Sequence, residues 1–466
     1  MSELKAGKYQ AYSKYRDSGV EWLDKIPSNW KNAPIKYMAL SKKSLFLDGN
    51  WIESKDISEE GIRYITTGNI GEGSYKEQGM GFITQETFNK LNCTEVYVGD
   101  ILISRLNNPI GRACILPDLN NRVVTSVDNV IFRPDSTYDK RFLVYLFSSK
   151  DYFKHTSNLA RGATMQRISR GLLGNIRAVF PIKEEQTQIA NFLDHETAKI
   201  DTLIDKQQQL IKLLKEKRQA VISHAVTKGI PNKKHPQAPM KDSGVKWLGE
   251  VPEHWVVTKL KYLSSIQGGY AFSSDSFTEE GVQILRIGNV YQNRLALERQ
   301  PIFVPHKMLN ELSDFKVQQN DILMSLTGTL GKRDYGFAIK VEHCDSFLLN
   351  QRVAKLLPFD AKVDLDFLIN VLWSESYLTQ LYSLPSGTKQ ANLANSDVLG
   401  IVVAIPPTKE EQRAIANYLS QKLEYFDRTI EKAQNAILLM HERRTALISA
   451  AVTGKIDVRN RDQPND

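Results

Sequence analysis

Cysteine is scarce in this chain, with three in 466 residues, and long apolar runs are missing. Cys93, Cys114 and Cys344 are far apart, so the sequence predicts neither a disulfide framework nor a zinc site. No apolar run reaches the roughly 18 residues of a membrane helix, and the first residues, MSELKAGKYQ, contain no apolar signal segment. These features predict a cytoplasmic protein without a membrane partner.

The motifs of self-contained enzymes are also missing. Gly328-Thr-Leu-Gly-Lys-Arg333 lacks both the glycine spacing and the Ser/Thr of a phosphate loop. His195-Glu196 opens like a zinc-protease helix, but Lys199 stands where the second histidine is needed. Ile405-Pro-Pro-Thr408 lacks the polar and aromatic residues of an amino-methyltransferase signature. These absences favour a chain with no catalytic residues and no metal. A methyltransferase or nuclease with a diverged site stays an alternative.

Hydrophobic residues make up 41% of the chain, which is ample for packed cores, and this length predicts two or three domains. Basic residues outnumber acidic ones by 61 to 53, a formal net charge of +8. This balance permits a polyanionic partner such as DNA without proving one.

Two stretches free of proline and glycine predict long helices, Glu184–Val226 and Glu410–Val452. Each would be roughly 60 Å long at 1.5 Å per residue. Their apolar residues recur at steps of three and four, as in a coiled-coil seam. The predicted seam consists of Ile189, Leu193, Ile200, Leu203, Leu210, Leu214, Val221, Leu419, Phe426, Ile430, Ile437, Met440 and Leu447. We expect an antiparallel pair within one chain; an intermolecular coiled coil is the alternative.

The chain is a tandem duplication. Asp17-Ser-Gly-Val-Glu-Trp-Leu23 returns as Asp242-Ser-Gly-Val-Lys-Trp-Leu248, and Pro181-Ile-Lys-Glu-Glu-Gln186 returns as Pro407-Thr-Lys-Glu-Glu-Gln412. Short strands and helices fill each copy, whereas Ser41–Asp56 has no visible counterpart. The predicted fold is α+β: a mixed α/β domain (1–183), a long helix (184–228), a second domain (229–408), a second long helix (409–453) and a tail (454–466).

Basic and amide residues concentrate in two candidate loops of each copy. Tyr152–Lys183 contains six Lys or Arg residues and no Asp or Glu. Arginine pairs with guanine, and Gln or Asn with adenine, so we expect these loops to contact DNA. The candidates in the first copy are Arg105, Asn107, Asn108, Arg112, Arg161, Thr164, Gln166, Arg167 and Arg170. Those in the second are Thr327, Thr329, Lys332, Arg333, Thr388, Lys389, Gln390 and Asn392. A solvated basic face and ordinary hairpins are the alternative interpretations.

Several of these segments resemble the specificity subunit of type I restriction–modification systems. The resemblance rests on Gly387-Thr-Lys-Gln-Ala-Asn-Leu393, Ile405-Pro-Pro407 and Glu410-Glu-Gln412, with a looser echo in Gly162-Ala-Thr-Met-Gln166, Phe180-Pro181 and Glu184-Glu-Gln186. The order of segments and the duplication match over nearly the whole chain. One departure is that Met165 stands where the second copy has Lys389.

This resemblance implies a non-catalytic subunit in which each target-recognition domain reads one half of a bipartite site in double-stranded DNA. The helices would act as a spacer and dock two methyltransferase (M) subunits, and restriction (R) subunits would join later. S-adenosylmethionine, ATP and Mg²⁺ would be held by the partner subunits, with no cofactor in this chain. A coiled-coil scaffold that never binds DNA is the alternative outside the enzymes.

Overall fold

A computed structural model describes residues 9–79, 81–162, 164–230, 239–342, 346–384 and 389–459. The chain divides into two compact units, one formed by Met1–Gln207 and Asn435–Asp466 and the other by Gln208–Gln434. The division falls inside both long helices, so each unit contains a mixed α/β domain and one segment of each helix. Each domain has the mixture of short strands and helices that the sequence predicts.

The first domain contains eleven strands and four short helices among its described residues. The strands are β1 (Tyr15–Val20), β2 (Leu23–Pro27), β3 (Lys31–Pro34), β4 (Leu45–Asp48), β5 (Ile62–Ile65), β6 (Phe82–Ile83), β7 (Ile101–Ser104), β8 (Ala113–Ile115), β9 (Val123–Thr125), β10 (Asn129–Arg133) and β11 (Arg177–Phe180). The helices are α1 (Gln85–Lys90), α2 (Lys140–Leu146), α3 (Lys150–Leu159) and α4 (Arg170–Asn175), and the long helix α5 (Lys183–Lys228) follows.

An antiparallel sheet of order β4-β10-β7-β8 lies at the centre of the first domain. All four residues of β7 are buried because both faces of the sheet are covered. Successive side chains of a strand point to opposite faces. Ile101 and Ile103 therefore pack in the main core with Phe142 of α2, while Leu102 packs with Ile65 of the neighbouring sheet. That sheet has the order β6-β5-β9, with β5 and β9 parallel.

The second domain repeats this arrangement. Its strands are β12 (Met240–Asp242), β13 (Glu250–Pro252), β14 (Val256–Lys259), β15 (Ser264–Gly268), β16 (Val282–Leu285), β17 (Val290–Tyr291), β18 (Arg294–Leu295), β19 (Phe303–Val304), β20 (Lys316–Val317), β21 (Ile322–Ser325), β22 (Thr327–Thr329), β23 (Ala338–Lys340), β24 (Phe347–Leu349), β25 (Val353–Pro358), β26 (Gln390–Asn392) and β27 (Val402–Ile405). The helices are α6 (Met308–Glu311), α7 (Leu365–Leu372), α8 (Glu375–Ser383), α9 (Asn395–Gly400) and the long helix α10 (Lys409–Val452).

The central sheet of the second domain has the order β15-β25-β21-β23, the counterpart of the first. Ile322 of β21 packs in the core that includes Phe367, and Leu323 packs on the opposite face with Leu285. Strand β15 thus corresponds to β4, which lies within Ser41–Asp56. That segment therefore has a structural counterpart. The sequence did not reveal it because the two copies share the strand pairing in this region but not the side chains.

Each unit contains an antiparallel pair of helix segments from the same chain, in agreement with the sequence prediction. In the first unit, Trp30 Nε1 donates to Glu185 near the start of α5 (2.9 Å). A Cβ built on Gly454, just past α10, would lie 3.5 Å from the same indole. In the second unit, Trp255 Nε1 donates to Glu411 near the start of α10 (3.0 Å), and Gly229, just past α5, approaches Trp255 in the same way. One tryptophan per unit thus contacts the beginning of one helix and the end of the other.

The packed seam differs from the predicted one at two residues. Leu203 and Leu210 are 50% and 40% exposed, so they lie outside the seam. Ile204 is buried in place of Leu203, and Ile211 is half-buried beside the exposed Leu210. Each of these leucines is followed by an isoleucine, so the three-and-four spacing fits either the leucines or the isoleucines. In the structure the isoleucines form the seam, and Ile204 follows Ile200 by four residues.

The other predicted seam residues are buried or half-buried. Ile189, Leu193, Ile200 and Leu447 are buried in the first unit, where Ile437 and Met440 pack against the core. Leu419 and Phe426 are buried in the second, where Leu214 and Val221 pack against the core and Ile430 is half-buried.

Among the described residues, no helix combines the length and apolar character needed to cross a membrane. Cys93 and Cys114 are buried free thiols, and Cys344 lies outside the described residues.

Candidate nucleic-acid interface

The two candidate loops of the first unit meet in the structure, although residues 113–160 separate them along the chain. We call residues 105–112 the hairpin loop and residues 161–170 the basic loop. Leu106 and Arg167 form an antiparallel bridge. Asn107 N donates to Gln166 O (3.2 Å), and Ile168 N donates to Arg105 O (3.0 Å). Backbone hydrogen bonds therefore place the two loops side by side.

The polar side chains of these loops divide into exposed and buried sets. The exposed set, which is available to a ligand, comprises Asn107, Asn108, Arg161, Thr164, Gln166 and Arg167. Arg170 is half-buried, and Arg105 and Arg112 are only 5% and 8% exposed. The sequence does not distinguish these sets, because both contain the same residue types.

Arg112 is a support for the hairpin loop. Its guanidinium donates to four main-chain carbonyls, those of Ile70 (2.7 Å), Leu106 (2.8 Å), Pro109 (3.1 Å) and Thr67 (2.8 Å). Burial lowers its pKa. With its donors occupied inside the domain, Arg112 is not free to reach DNA, contrary to the sequence prediction.

Arg105 has a similar internal role. Its Nε lies 3.1 Å from Oδ1 of Asp48, at the end of β4, and its guanidinium also donates to the carbonyl of Val127. Burial lowers the pKa of Arg105 and raises that of Asp48. The structure therefore places Arg105 in a buried ion pair beneath the loops, and the prediction of a direct DNA contact is corrected in the same way.

Two carboxylates from outside the basic loop pair with its arginines. Arg167 Nη2 lies 2.8 Å from Oδ1 of Asp128, and Arg170 Nε lies 3.7 Å from Oδ2 of Asp48. The run Tyr152–Lys183 contains no acid of its own, so sequence reasoning missed this neutralisation. Asp48 ends β4 and Asp128 precedes β10, the neighbouring strand of the central sheet. A correct prediction of this strand pair would have been the signal that both carboxylates lie near the basic loop. Within the described part of the chain, Arg161 has no ion pair.

The corresponding loops of the second unit are joined by a short ladder. Strand β22 pairs with β26, and Thr327 is opposite Asn392. The hydroxyl of Thr327, a 4% exposed residue, donates to Asn392 Oδ1 (3.1 Å), so Thr327 is also internal. Thr329 is half-buried, and Thr388 lies outside the described residues. The exposed predicted residues are Lys332, Arg333, Lys389, Gln390 and Asn392.

Arg333 and Arg352 differ in their surroundings. Arg333 Nη1 is 2.9 Å from Glu375 Oε1, and its guanidinium lies 5.0 Å from the Tyr382 ring centroid. Arg352, which sequence reasoning missed, is exposed and its Nη1 donates to Asn392 Oδ1 (3.4 Å). It was overlooked because it lies before a strand rather than in a loop rich in basic residues.

The duplicated Glu-Glu-Gln motif attaches each long helix to its domain. Gln186 Oε1 accepts from Asp139 N (2.9 Å), and its Nε2 donates to Pro181 O (2.9 Å). Gln412 makes the same contacts with Asp364 N (2.7 Å) and Pro406 O (3.0 Å). The motif is therefore structural, and the exposed loops are the candidate ligand-binding surface.

Chemically, each surface offers cationic, amide and hydroxyl groups on exposed loops. Such groups can position phosphates and read base edges. Among the described residues, no group of three or more His, Cys, Asp or Glu is arranged to hold a metal ion.

Comparison with known proteins identifies a family match over both copies. Residues 27–213 and 252–439 match the family model described as type I restriction modification DNA specificity domain. A specificity subunit of the type I restriction enzyme MjaVIII from Methanocaldococcus jannaschii is 29% identical, over 69% of this chain and 71% of the relative. The putative MjaX specificity subunit of the same organism is 27% identical over 94% and 96%. The EcoKI specificity subunit of Escherichia coli is 24% identical over 72% and 70%.

Solved structures show the same fold. A chain from a study of complex assembly and conformational transition of the type I R-M system has a TM-score of 0.69 at 15% identity, over 92% of this chain and 99% of that one. The HsdS subunit from Thermoanaerobacter tengcongensis has a TM-score of 0.51 at 16% identity, over 92% and 98%.

Proposed function

The chain belongs to the type I restriction modification DNA specificity family, and we propose that each of its two units reads one half of a bipartite target in double-stranded DNA. Membership makes it a non-catalytic specificity subunit. The observation that carries the proposal is the meeting of two exposed polar loops in each unit, joined by backbone hydrogen bonds. Two copies of such a surface suit a target in two parts.

The exposed side chains support a division between phosphate and base contacts. Arg161, Lys332 and Lys389 are exposed, and no ion pair of theirs occurs among the residues that the structure describes. Such cations suit phosphates, which carry affinity but no sequence information. Gln166, Gln390 and Asn392 carry amides that can pair with adenine.

The long helices support a second part of the proposal, the docking of two methyltransferase subunits and, later, of restriction subunits. Large apolar side chains are exposed on them: Leu203, Leu438 and Leu439 in the first unit, and Leu210, Leu213 and Tyr425 in the second. Large apolar side chains exposed on the long helices suit a protein partner. We propose that S-adenosylmethionine, ATP and Mg²⁺ are bound by these partners, and that the assembly acts on DNA in the cytoplasm.

The test of DNA binding combines affinity with salt dependence. Replacing Arg161, Arg167 and Arg170 by glutamine should weaken binding to a labelled duplex and flatten the slope of log affinity against log salt by up to about 0.9 per lost phosphate contact. The matched control replaces Lys25, Lys31 and Lys90, three exposed lysines of the same unit on other elements, and should change the slope little. Methylome sequencing of a host with the M subunits should then show relaxed reading of one half-site only.

Two outcomes would refute the proposal. A wild-type chain with no salt-dependent DNA affinity, alone or with its partners, would indicate a scaffold. Methyl transfer by the lone chain, incubated with labelled S-adenosylmethionine and DNA, would indicate a self-contained enzyme.

A further inference from the structure

One structural position has opposite charges in the two units. In the first, Asn129 is opposite Ser104 in the central sheet; in the second, Val353 is opposite Ser325. The preceding residues, Asp128 and Arg352, therefore occupy equivalent positions.

The loop residue that each of them contacts is equivalent too. Arg167 bridges to Leu106, the second residue after Ser104. Asn392 pairs with Thr327, the second residue after Ser325. In the first unit, the carboxylate that precedes β10 pairs with a loop arginine; in the second, the arginine that precedes β25 contacts the amide of Asn392 in β26.

We propose that this position sets how much positive charge each unit presents to DNA: Asp128 restrains Arg167 in the first unit, and Arg352 itself contacts DNA in the second. The inference rests on the proposed function and names residues that control it. The side chains of Arg167 and Asp128 are 42% and 26% exposed, so the pair lies at the surface where a phosphate would compete for the guanidinium.

The competition follows from simple electrostatics. A phosphate approaching Arg167 must displace Asp128 or share the arginine with it, and the like charges of phosphate and carboxylate repel each other. The carboxylate therefore lowers sequence-independent affinity while it holds the guanidinium in one orientation. Arg352 faces only the amide oxygen of Asn392, at 3.4 Å, and has no carboxylate partner among the described residues. Its remaining donors are free for DNA.

A second pair of equivalent positions shows the same trend. Asp48 is opposite Val130 in the first unit, and Gly268 is opposite Ala354 in the second. The buried Arg105 has Leu326 as its counterpart, since Ile168 N donates to Arg105 O as Leu393 N donates to Leu326 O. At these two positions the second unit has no carboxylate, and its loop residue Arg333 pairs with a carboxylate from elsewhere, that of Glu375.

The first experiment measures binding of the full chain to a labelled duplex of random sequence. Asp128→Asn should increase affinity and steepen the salt slope by up to about 0.9, because one more arginine becomes available to phosphate. The matched control Asp205→Asn removes the same charge from an exposed helix position in the same unit and should have little effect. The double variant D128N/R167Q should lose the gain, because the gain acts through Arg167.

The second experiment tests Arg352. Arg352→Gln should weaken binding and flatten the slope by a similar amount, whereas Arg428→Gln, an exposed helix arginine of the same unit, should not. Arg352→Lys should keep most of the slope because it keeps the charge; a loss as large as in R352Q would overturn the charge argument.

Three outcomes would overturn the inference: unchanged or weakened binding in D128N, a gain that persists in D128N/R167Q, or unchanged binding in R352Q. As long as the wild type binds DNA, these outcomes leave the proposed function intact. Absence of salt-dependent binding by the wild type would instead refute the proposed function itself.

Discussion

Glu185 shows how much of the first unit depends on one side chain. It accepts hydrogen bonds from Tyr12 Oη (2.7 Å), Trp30 Nε1 (2.9 Å) and Asn29 Nδ2 (3.3 Å). Burial, followed by the hydrogen bond to Glu185, raises the pKa of Tyr12. A single carboxylate near the start of α5 thus satisfies donors from the N-terminal part of the domain.

Replacing Glu185 by alanine should therefore destabilise the first unit. Leaving the buried indole N–H and phenol without an acceptor costs about 1–3 kcal/mol for each group. The neighbouring Glu184→Ala changes the same charge at an exposed position and should cost less than about 0.5 kcal/mol. Denaturant unfolding of the two variants measures the difference; equal stabilities would show that water replaces the carboxylate without loss.

The ion pair between Asp48 and Arg105 allows a second test at the residue scale. Removing Asp48 leaves the buried Arg105 guanidinium without a carboxylate, which costs about 3 kcal/mol or more. Removing Arg105 leaves the half-buried Asp48 with the more distant Arg170 as its partner and should cost less. The double variant D48A/R105L approximates the residues at the equivalent positions of the second unit, Gly268 and Leu326. It should be more stable than either single variant, because a buried ion pair can be replaced by apolar groups at little net cost.

Unfolding free energies of the four proteins, wild type, both single variants and the double, give the coupling between Asp48 and Arg105. The more exposed pair of Arg122 and Glu95 serves as the control, and Arg122→Leu should cost less than Asp48→Ala. Additive effects of D48A and R105L would show that the two charges do not stabilise each other.

At the scale of elements, the same substitution by aspartate should have very different effects on stability at two adjacent residues of α5. Ile204→Asp places a carboxylate in the apolar seam, since Ile204 is 5% exposed, and should cost at least about 3 kcal/mol. Leu203→Asp lies at a 50% exposed position and should stay within about 0.5 kcal/mol of wild type. Thermal unfolding would compare them, and a severe loss in L203D would restore the seam that spacing alone predicted.

The long helices, the duplication and the strands around Ile62 and Ile101 could be predicted because periodicity and repetition are local properties of the sequence. The choice between Leu203 and Ile204 could not, because both fit the heptad spacing and only packing against α10 within the unit distinguishes them. The same holds for charge. Asp48 and Asp128 are distant in sequence from the basic loop, and only strand pairing brings them to Arg170 and Arg167.

At the scale of the molecule, two similar frames carry different surfaces. The sheets and the Glu-Glu-Gln contacts are repeated, whereas the loop joining β7 to β8 and its counterpart between β21 and β23 differ in length and charge. Shared frames with different loops suit two half-sites of different sequence. The helices are common to both units, because α5 passes from one to the other at Gln207–Gln208 and α10 at Gln434–Asn435.

If each unit reads one half-site, as proposed, helix length should set the spacing between the half-sites without changing which bases are read. Inserting four residues after Gln207 and four after Gln434 lengthens each helix by about 6 Å where the chain passes from one unit to the other, and it leaves the residues of each unit unchanged. Base pairs rise about 3.4 Å, so the spacer of the target should grow by one or two base pairs. Methylome sequencing with the M subunits would show this. The same insertion beside Asn120, in an exposed turn of the first unit, should leave the spacer unchanged. An active helix variant that retains the original spacer, or that reads a different half-site, would contradict the idea that these helices determine the distance.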